Sequence, residues 1–295
     1  MKKLKGVITA MTTPFSAEGE IDLIGLKQQV EFAISNGVNA LYPTGTTGEM
    51  YLMTNEERKL VAEKVVEYAG NRVTVYIHVG AMTLADTILL AQHAHKIGAD
   101  GIGVVSPSYF SVSDEAIVDY YTAVCSAVAD DFPVYAYAIP QLAKNDISPD
   151  VVRRICEKCK NLVGIKYSYP DFRRLMEYLT INDGDFSVVF GADDMFLPAL
   201  IVGADGVVSG CSGPFPEIFS KIYESYCKGD ISLAKEQQFY ANKIIFAIKA
   251  GADMSIFKNI LIWRGVNAGC MRAPLKNLNE KDKNELYKKI IKYID

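Results

Sequence analysis

The stretch Lys96-Ile97-Gly98-Ala99-Asp100-Gly101 ends a helical pattern and opens an apolar run, and two similar stretches occur elsewhere in the chain. They are Ser35-Asn36-Gly37-Val38-Asn39-Ala40 and Ile201-Val202-Gly203-Ala204-Asp205-Gly206. Glycine is favoured just past a helix end because it adopts the left-handed conformation without a steric cost. Three joints of this kind indicate a repeated helix-to-strand connection and therefore a parallel sheet.

Outward from these joints, short apolar runs alternate with amphipathic stretches of helix length. The pattern predicts eight strands, at residues 7–11, 40–42, 74–79, 101–105, 134–137, 163–167, 187–190 and 206–209. Eight strands alternating with helices predict an α/β fold, a closed (β/α)8 TIM barrel over residues 1–228. An open doubly wound sheet is the alternative, but the first strand-to-helix joint lacks a G-x-G-x-x-G motif.

Three more helical patterns follow, at residues 232–249, 254–265 and 281–294. No linker rich in Pro, Gly or Ser separates them from the preceding part of the chain. We therefore expect residues 229–295 to form a C-terminal helical extension that packs on the barrel.

The composition of the chain disfavours some classes of function. The chain has 295 residues, 49% of them hydrophobic, and a net charge of −4 with Lys and Arg scattered along it, which disfavours nucleic acid as a partner. It has no apolar run of about 20 residues and no signal-peptide pattern, so we expect no membrane segment and a cytoplasmic location. Six cysteines in a chain of this length indicate reduced thiols, not a disulfide framework.

Polar residues cluster where the predicted strands end, the face of such a barrel that carries chemistry. Gly45-Thr46-Thr47-Gly48-Glu49 follows the second strand, and its backbone N–H groups and two hydroxyls suit a carboxylate such as that of a 2-oxo acid. A plain Gly/Thr turn is the alternative interpretation. Further clusters are Ser106-Pro107-Ser108-Tyr109, Gly191-Ala192-Asp193-Asp194 and Ser209-Gly210.

Lys166 ends the sixth apolar run, and Tyr137 ends the fifth. A buried strand seldom carries an unpaired ammonium group. Only a neutral amine attacks a carbonyl, and burial favours the neutral form of a lysine. A lysine and a phenol at the ends of successive strands therefore indicate Schiff-base chemistry. The alternative is a lysine whose stem packs in the strand while its head reaches solvent or a carboxylate.

Five stretches occur in an order and at spacings that are similar to those of one known family. They are Gly6-Val7-Ile8-Thr9-Ala10-Met11-Thr12-Thr13-Pro14-Phe15, Gly45-Thr46-Thr47-Gly48-Glu49, Tyr137-Ala138-Ile139-Pro140, Gly164-Ile165-Lys166 and Gly203-Ala204-Asp205-Gly206-Val207-Val208-Ser209. Over almost its whole length the chain resembles the dihydrodipicolinate synthase / N-acetylneuraminate lyase family, which comprises pyruvate-dependent class I aldolases.

The resemblance implies a role for each matching residue. Lys166 matches the lysine that forms an imine with pyruvate, and Tyr137 matches the phenol that shuttles a proton. Thr46 and Thr47 match the relay and carboxylate-binding pair, and Tyr109 matches a tyrosine that reaches into the neighbouring subunit's site. The other implied substrate-binding residues are Gly48, Ser168, Gly191, Asp193, Asp194, Val208 and Gly210. The resemblance implies a homotetramer and neither a metal nor an organic cofactor.

Two departures from the family pattern bear on the substrate. The synthases carry an arginine after the motif Y-N-x-P to grip the second substrate's carboxylate, whereas here Pro140 is followed by Gln141-Leu142-Ala143-Lys144. Because a bidentate carboxylate clamp is not easily replaced, the synthase reaction is disfavoured. Ala138 stands where most members of the family have asparagine.

The sequence therefore predicts a lyase that cleaves a 2-keto-3-deoxy sugar acid, or N-acetylneuraminate, to pyruvate and an aldehyde. The alternatives are the synthase reaction of pyruvate with aspartate semialdehyde, and a dehydratase that uses the same imine. A different kind of alternative is a barrel that binds 2-oxo acids without turnover, which Ala138 keeps open.

Overall fold

The computed structural model describes residues 1–249 and 253–294. Eight parallel strands pair in chain order and close into a barrel, because the first strand pairs with both the second and the last. The predicted (β/α)8 barrel is confirmed. The strands are β1 (Gly6–Ala10), β2 (Ala40–Tyr42), β3 (Thr74–His78), β4 (Gly101–Val105), β5 (Val134–Ala138), β6 (Leu162–Tyr167), β7 (Ser187–Phe190) and β8 (Gly206–Ser209).

Helices surround the barrel and continue beyond it. They are α1 (Leu23–Ser35), α2 (Asn55–Ala69), α3 (Leu84–Lys96), α4 (Asp114–Ser126), α5 (Pro140–Ala143), α6 (Pro149–Lys158), α7 (Phe172–Tyr178), α8 (Phe196–Ile201), α9 (Pro216–Cys227), α10 (Ile231–Ala247), α11 (Met254–Trp263) and α12 (Glu280–Ile290). The last three form a C-terminal helical extension. Within the described ranges, none of these helices has the length and apolar character needed to span a membrane.

The joints that predicted the fold have the expected backbone. Gly37, Gly98 and Gly203 all have positive φ, and they precede β2, β4 and β8. Several bounds differ from the prediction by one to four residues, as at β1, which begins and ends one residue earlier, and at the last helix, which ends at Ile290. The four-residue helix α5 was not predicted, because it is too short to produce a periodic pattern.

Large side chains fill the inside of the barrel below its carboxyl end. Tyr42 of β2 packs against β4 so closely that a Cβ on Gly103 would lie 1.7 Å from the Tyr42 hydroxyl oxygen. The strands therefore combine bulky tyrosines with glycines at facing positions, which gives a filled core instead of a pore. The interior cluster consists of Leu4, Ile8, Ala10, Ala40, Tyr42, Tyr76, Tyr135, Val163, Val189 and Val208.

The pairing register sets the neighbours of the candidate lysine. Lys166 of β6 pairs with Tyr137 of β5 on one side and with Val189 of β7 on the other. Since strands in parallel register present paired residues to the same face, the lysine and the tyrosine both reach the inside of the barrel near its carboxyl end.

Candidate active site

Lys166 is buried at the top of the barrel interior, with 5% of its surface exposed. Its Nζ lies 3.9 Å from the ring centroid of Tyr137 and 4.8 Å from that of Tyr42. The lysine head is thus packed against aromatic rings and borders a cavity, a setting that suits attack on a bound carbonyl carbon.

Tyr137 connects the lysine to the turn after β2. Its hydroxyl lies 3.4 Å from Thr46 Oγ1, a distance at the long end of hydrogen bonding. Either oxygen can donate, so the pair can pass a proton in both directions. The predicted relay residues therefore lie in contact, although they are 91 positions apart in the sequence.

These side chains line one cavity of about 250 Å³ at the carboxyl end of the barrel. Most of the residues singled out from the sequence border it. They are Lys166, Tyr137, Thr46, Thr47, Ser168, Gly191, Asp193, Val208 and Gly210. A Cβ on Gly191 would lie 2.0 Å from Ser168 Oγ, so only glycine lets the two loops approach this closely here.

A second cavity of about 570 Å³ adjoins the first and shares Ser168, Gly191 and Asp193 with it. Asp194 and Lys249 border the outer cavity and not the inner one. The 3-10 turn that carries the two aspartates is held by α10, because Gln238 and Asn242 donate to the backbone carbonyls of Asp193 and Asp194. The extension thus shapes this part of the site.

The Asp193 carboxylate is enclosed although its residue as a whole is half-buried. Burial raises the pKa of this carboxyl, against hydrogen bonds from Ser209 and Cys211 that lower it. Oδ2 accepts the Cys211 N–H at 3.3 Å, and Oδ1 has no partner among the described residues.

Two predicted residues lie away from both cavities. The Gly48 N–H donates to Gly45 O inside the turn, and its carbonyl accepts from Thr13 Oγ1. Tyr109 projects from the loop after β4 with 71% of its surface exposed and with φ at 75°. It borders neither cavity of its own chain.

Sequence reasoning missed several residues at the site. Met254 and Phe257 reach the inner cavity from α11, beside Gln141 and Leu142 of the segment where the family pattern has its clamp. Glu49 of the G-T-T-G-E motif pairs with Lys258 of α11, and neither residue is among the predicted site residues. Lys258 lies between the apolar residues Phe257 and Ile260-Leu261, and a lysine near apolar residues is the same kind of signal that identified Lys166.

His78 packs beneath the site. Its ring meets that of Tyr137 edge-on at 5.8 Å, and Nδ1 lies 3.0 Å from Thr44 O. Burial, followed by the charges of Arg58 and Lys166, lowers the pKa of His78 well below its usual range, so the ring is neutral. Over residues 1–249 and 253–294, no three His, Cys, Asp or Glu side chains are grouped so as to hold a metal ion.

The model of the dihydrodipicolinate synthetase family matches residues 3–293. The chain belongs to this family. The crystal structure of dihydrodipicolinate synthase from Aquifex aeolicus superposes on it with a TM-score of 0.93 at 30% identity, covering 98% of each chain. An N-acetylneuraminate lyase of Mediterraneibacter gnavus is 30% identical over 96% of this chain and 90% of its own. A probable 2-dehydro-3-deoxy-D-pentonate aldolase of Escherichia coli is 33% identical over 79% and 78%.

Membership of the dihydrodipicolinate synthetase family confirms the predicted resemblance and the enzyme class. Members of this family are pyruvate-dependent class I lyases, so the protein is a carbon–carbon lyase. The family needs no metal, since it uses a lysine Schiff base. Family membership alone leaves the substrate open, because relatives include a synthase, a sialic acid lyase and a sugar acid aldolase.

Proposed function

We propose that the protein cleaves a 2-keto-3-deoxy sugar acid, or N-acetylneuraminate, to pyruvate and an aldehyde through a Schiff base on Lys166. The observation that carries this proposal is the contact of Lys166, Tyr137 and Thr46 in a cavity that adjoins a larger one bordered by two aspartates. No metal or organic cofactor takes part.

Lys166 Nζ attacks C2 of the 2-oxo acid, and loss of water leaves an imine that is protonated on nitrogen. The protonated imine withdraws electrons when the C3–C4 bond breaks, and an enamine results. Protonation of the enamine at C3 and hydrolysis of the imine then release pyruvate and regenerate the amine. Thr47 and the turn around it hold the substrate carboxylate.

Tyr137 takes the proton from the C4 hydroxyl as the aldehyde forms and returns a proton to C3. A phenol with a reference pKa near 10 is a weak base at neutral pH, so it needs a partner that relays its proton. The Thr46 hydroxyl at 3.4 Å is that partner.

The outer cavity supports a polyhydroxylated substrate. Ser168, Asp193 and Asp194 border this cavity and supply polar atoms to its lining. Hydrogen-bond acceptors in an enclosed site favour a ligand rich in hydroxyl groups, since buried acceptors left unpaired cost free energy.

The synthase reaction is the weaker candidate. Gln141 donates to Ser168 O at 2.7 Å, and Leu142 is 62% exposed at the mouth of the inner cavity. Lys144, the remaining cation of this segment, is exposed and borders neither cavity. A carboxylate clamp for aspartate semialdehyde is therefore missing from the positions where the family pattern expects it.

A barrel that binds 2-oxo acids without turnover is also disfavoured. Ala138 is fully buried in the apolar layer between β5 and the helices. Alanine here is compatible with an intact relay on the inner side of the strand.

We further propose that Tyr109 completes the site of a neighbouring subunit in a homo-oligomer, with a tetramer as the expected size. Tyr109 and Phe110 are both about 70% exposed and pack edge-to-face at 4.9 Å. Exposed aromatic side chains of this size are typical of contact surfaces.

Borohydride trapping with pyruvate tests the Schiff base. We expect a stable adduct on wild type and none on Lys166→Ala, measured by mass spectrometry, because only an imine at this amine can be reduced in place. Lys144→Ala is the matched control and should trap like wild type, since Lys144 lies outside the cavity. An adduct on another lysine would contradict the proposal.

A substrate screen tests the reaction. Sialic acid, 2-keto-3-deoxygluconate, 2-keto-3-deoxygalactonate, and pyruvate with aspartate semialdehyde are compared by coupled assay. Cleavage of one sugar acid with little condensation is the expected result. Efficient condensation would favour the synthase, and an adduct without turnover of any substrate would favour the binding protein.

A further inference from the structure

A buried ion pair joins the turn after β2 to the C-terminal extension. Lys258 Nζ of α11 lies 2.6 Å from Glu49 Oε1, and the two side chains are 2% and 0% exposed. The partners are 209 positions apart in the sequence. Glu49 directly follows Gly45-Thr46-Thr47-Gly48, which contributes two side chains to the inner cavity.

Both charges are fully engaged. Glu49 Oε2 accepts the Arg272 backbone N–H at 3.0 Å, and Lys258 Nζ also donates to Cys270 O. Burial lowers the pKa of Lys258, and the charge of Glu49 opposes that shift. Because desolvation offsets much of the attraction in such a pair, its net contribution to stability is small, and geometry is the better reason for its presence.

The turn that the pair anchors has a strained backbone. Thr44 and Glu49 flank it, and both are left-handed, with φ of 58° and 62°. Residues other than glycine adopt this conformation only where the surroundings enforce it. The Glu49 N–H donates to Thr46 O at 3.0 Å, so the position of Glu49 is passed directly to the threonine that contacts Tyr137.

We propose that Glu49 and Lys258 are positioning residues that hold Thr46 and Thr47 in register with Tyr137 and Lys166. The inference rests on the proposed lyase function. On this inference the C-terminal extension contributes to the geometry of the site, because α11 supplies the lysine that holds the turn in place. Neither residue touches the substrate, and both act through the threonines.

Glu49→Gln and Lys258→Met test the inference. Glu49→Gln keeps the size of the side chain and removes its charge, so it is the variant least disturbing to the fold. We expect kcat/KM for the sugar acid to fall about 10²-fold in each, the usual effect of a displacement near 1 Å at a reacting group. The pyruvate concentration that half-saturates borohydride trapping should rise, while trapping at saturation stays complete on Lys166.

The double variant Glu49→Gln/Lys258→Met separates positioning from stability. It leaves no unpaired buried charge, so we expect its melting temperature to recover towards that of wild type while kcat/KM remains low. Arg264→Met is the matched control. Arg264 joins the end of α11 to Glu217 of α9 at 3.0 Å without contacting the turn, and its loss should reduce stability but leave both kinetic measurements unchanged.

Folded Glu49→Gln with wild-type kcat/KM and wild-type half-saturation would overturn this inference and leave the lyase proposal intact. So would recovery of full activity in the double variant. Absence of any adduct on wild type would overturn the lyase proposal and this inference together.

Discussion

At the scale of single residues, two neighbouring strands divide the proposed chemistry. Lys166 on β6 forms the bond to the substrate, and Tyr137 on β5 moves protons with the help of Thr46. Their pairing in the sheet fixes the distance between them, so one group can be altered chemically while the other stays in place. Substitutions that remove a single oxygen atom can therefore separate imine formation from bond cleavage.

Tyr137→Phe should still form the pyruvate adduct, slowly, while turnover falls by about 10²- to 10⁴-fold, the usual contribution of a positioned acid–base group. Trapping by mass spectrometry and a steady-state cleavage assay measure the two effects. Tyr135→Phe is the matched control, since Tyr135 lies deeper in the barrel. Its hydroxyl donates a hydrogen bond to Ser187 Oγ and accepts one from the Leu4 N–H. It should lose about 1–3 kcal/mol of stability and keep its turnover. Equal loss of adduct and turnover in Tyr137→Phe would contradict the assigned role.

Leu142→Arg should bring measurable condensation of pyruvate with aspartate semialdehyde, because it puts a guanidinium at the cavity mouth near the family's clamp position. Sugar acid cleavage should not improve. The condensation product is measured by coupled assay beside Leu142→Met, which fills similar space without charge. Strong condensation in wild type would reverse the substrate preference and point to Lys144 as the clamp.

At the scale of elements, the fold was predicted mainly from two sequence features. These are the glycine-containing joints between helix and strand, and the short apolar runs. The strands at residues 40–42, 101–105, 187–190 and 206–209 have the predicted bounds, because glycines or short polar segments delimit apolar runs there. Short elements such as α5 and the 3-10 turn Asp193–Met195 span too few residues to show a periodic pattern in the sequence. The contact of Glu49 with Lys258 was not predictable either, since no local pattern relates residues so far apart. The proposed roles of the individual site residues stay predictions.

The close contact between Tyr42 of β2 and Gly103 of β4 leads to a prediction about stability. Gly103→Ala should destabilise the protein by about 3 kcal/mol, because its Cβ would overlap the Tyr42 hydroxyl. Tyr42→Phe alone should cost little, since that hydroxyl has no partner among the described residues. Urea denaturation of both variants and of the double variant gives the coupling energy. We expect the double variant to be more stable than Gly103→Ala, and simple additivity would contradict the packing described.

At the scale of the whole molecule, the proposed oligomer predicts complementation. Lys166→Ala and Tyr109→Phe subunits are each inactive, but exchange should restore about a quarter of the sites in an equal mixture, where an intact Lys166 meets a neighbour's intact Tyr109. Lys166→Ala mixed with Tyr137→Phe is the control, and no activity should return because both side chains border the same chain's cavity. Native mass spectrometry confirms exchange. Activity no greater than that of the separate parents would contradict a shared site.

Global stability should depend on pH through His78. Burial holds its pKa well below 6.5 in the folded chain, whereas the unfolded chain binds a proton there. The stabilising effect is therefore complete above about pH 6.5 and is lost by about 1.4 kcal/mol per pH unit as the pH falls below that value. Urea denaturation from about pH 8 to about pH 5 measures the slope. His78→Gln should remove the part of the slope that corresponds to one bound proton. The same substitution at the exposed residue His95 should leave the slope unchanged. An unchanged slope in His78→Gln would contradict the assignment.

The bond between Glu49 and Lys258 also has a consequence in time, because its partners are synthesised 209 residues apart. At a ribosomal rate of about 5–20 residues per second, the turn with Thr46 waits roughly 10–40 s for its lysine to be made. Lys166 is translated well before that moment. On our inference, a nascent chain carries the proposed imine-forming amine before the turn is locked, and the enzyme becomes competent only after Lys258 has been translated.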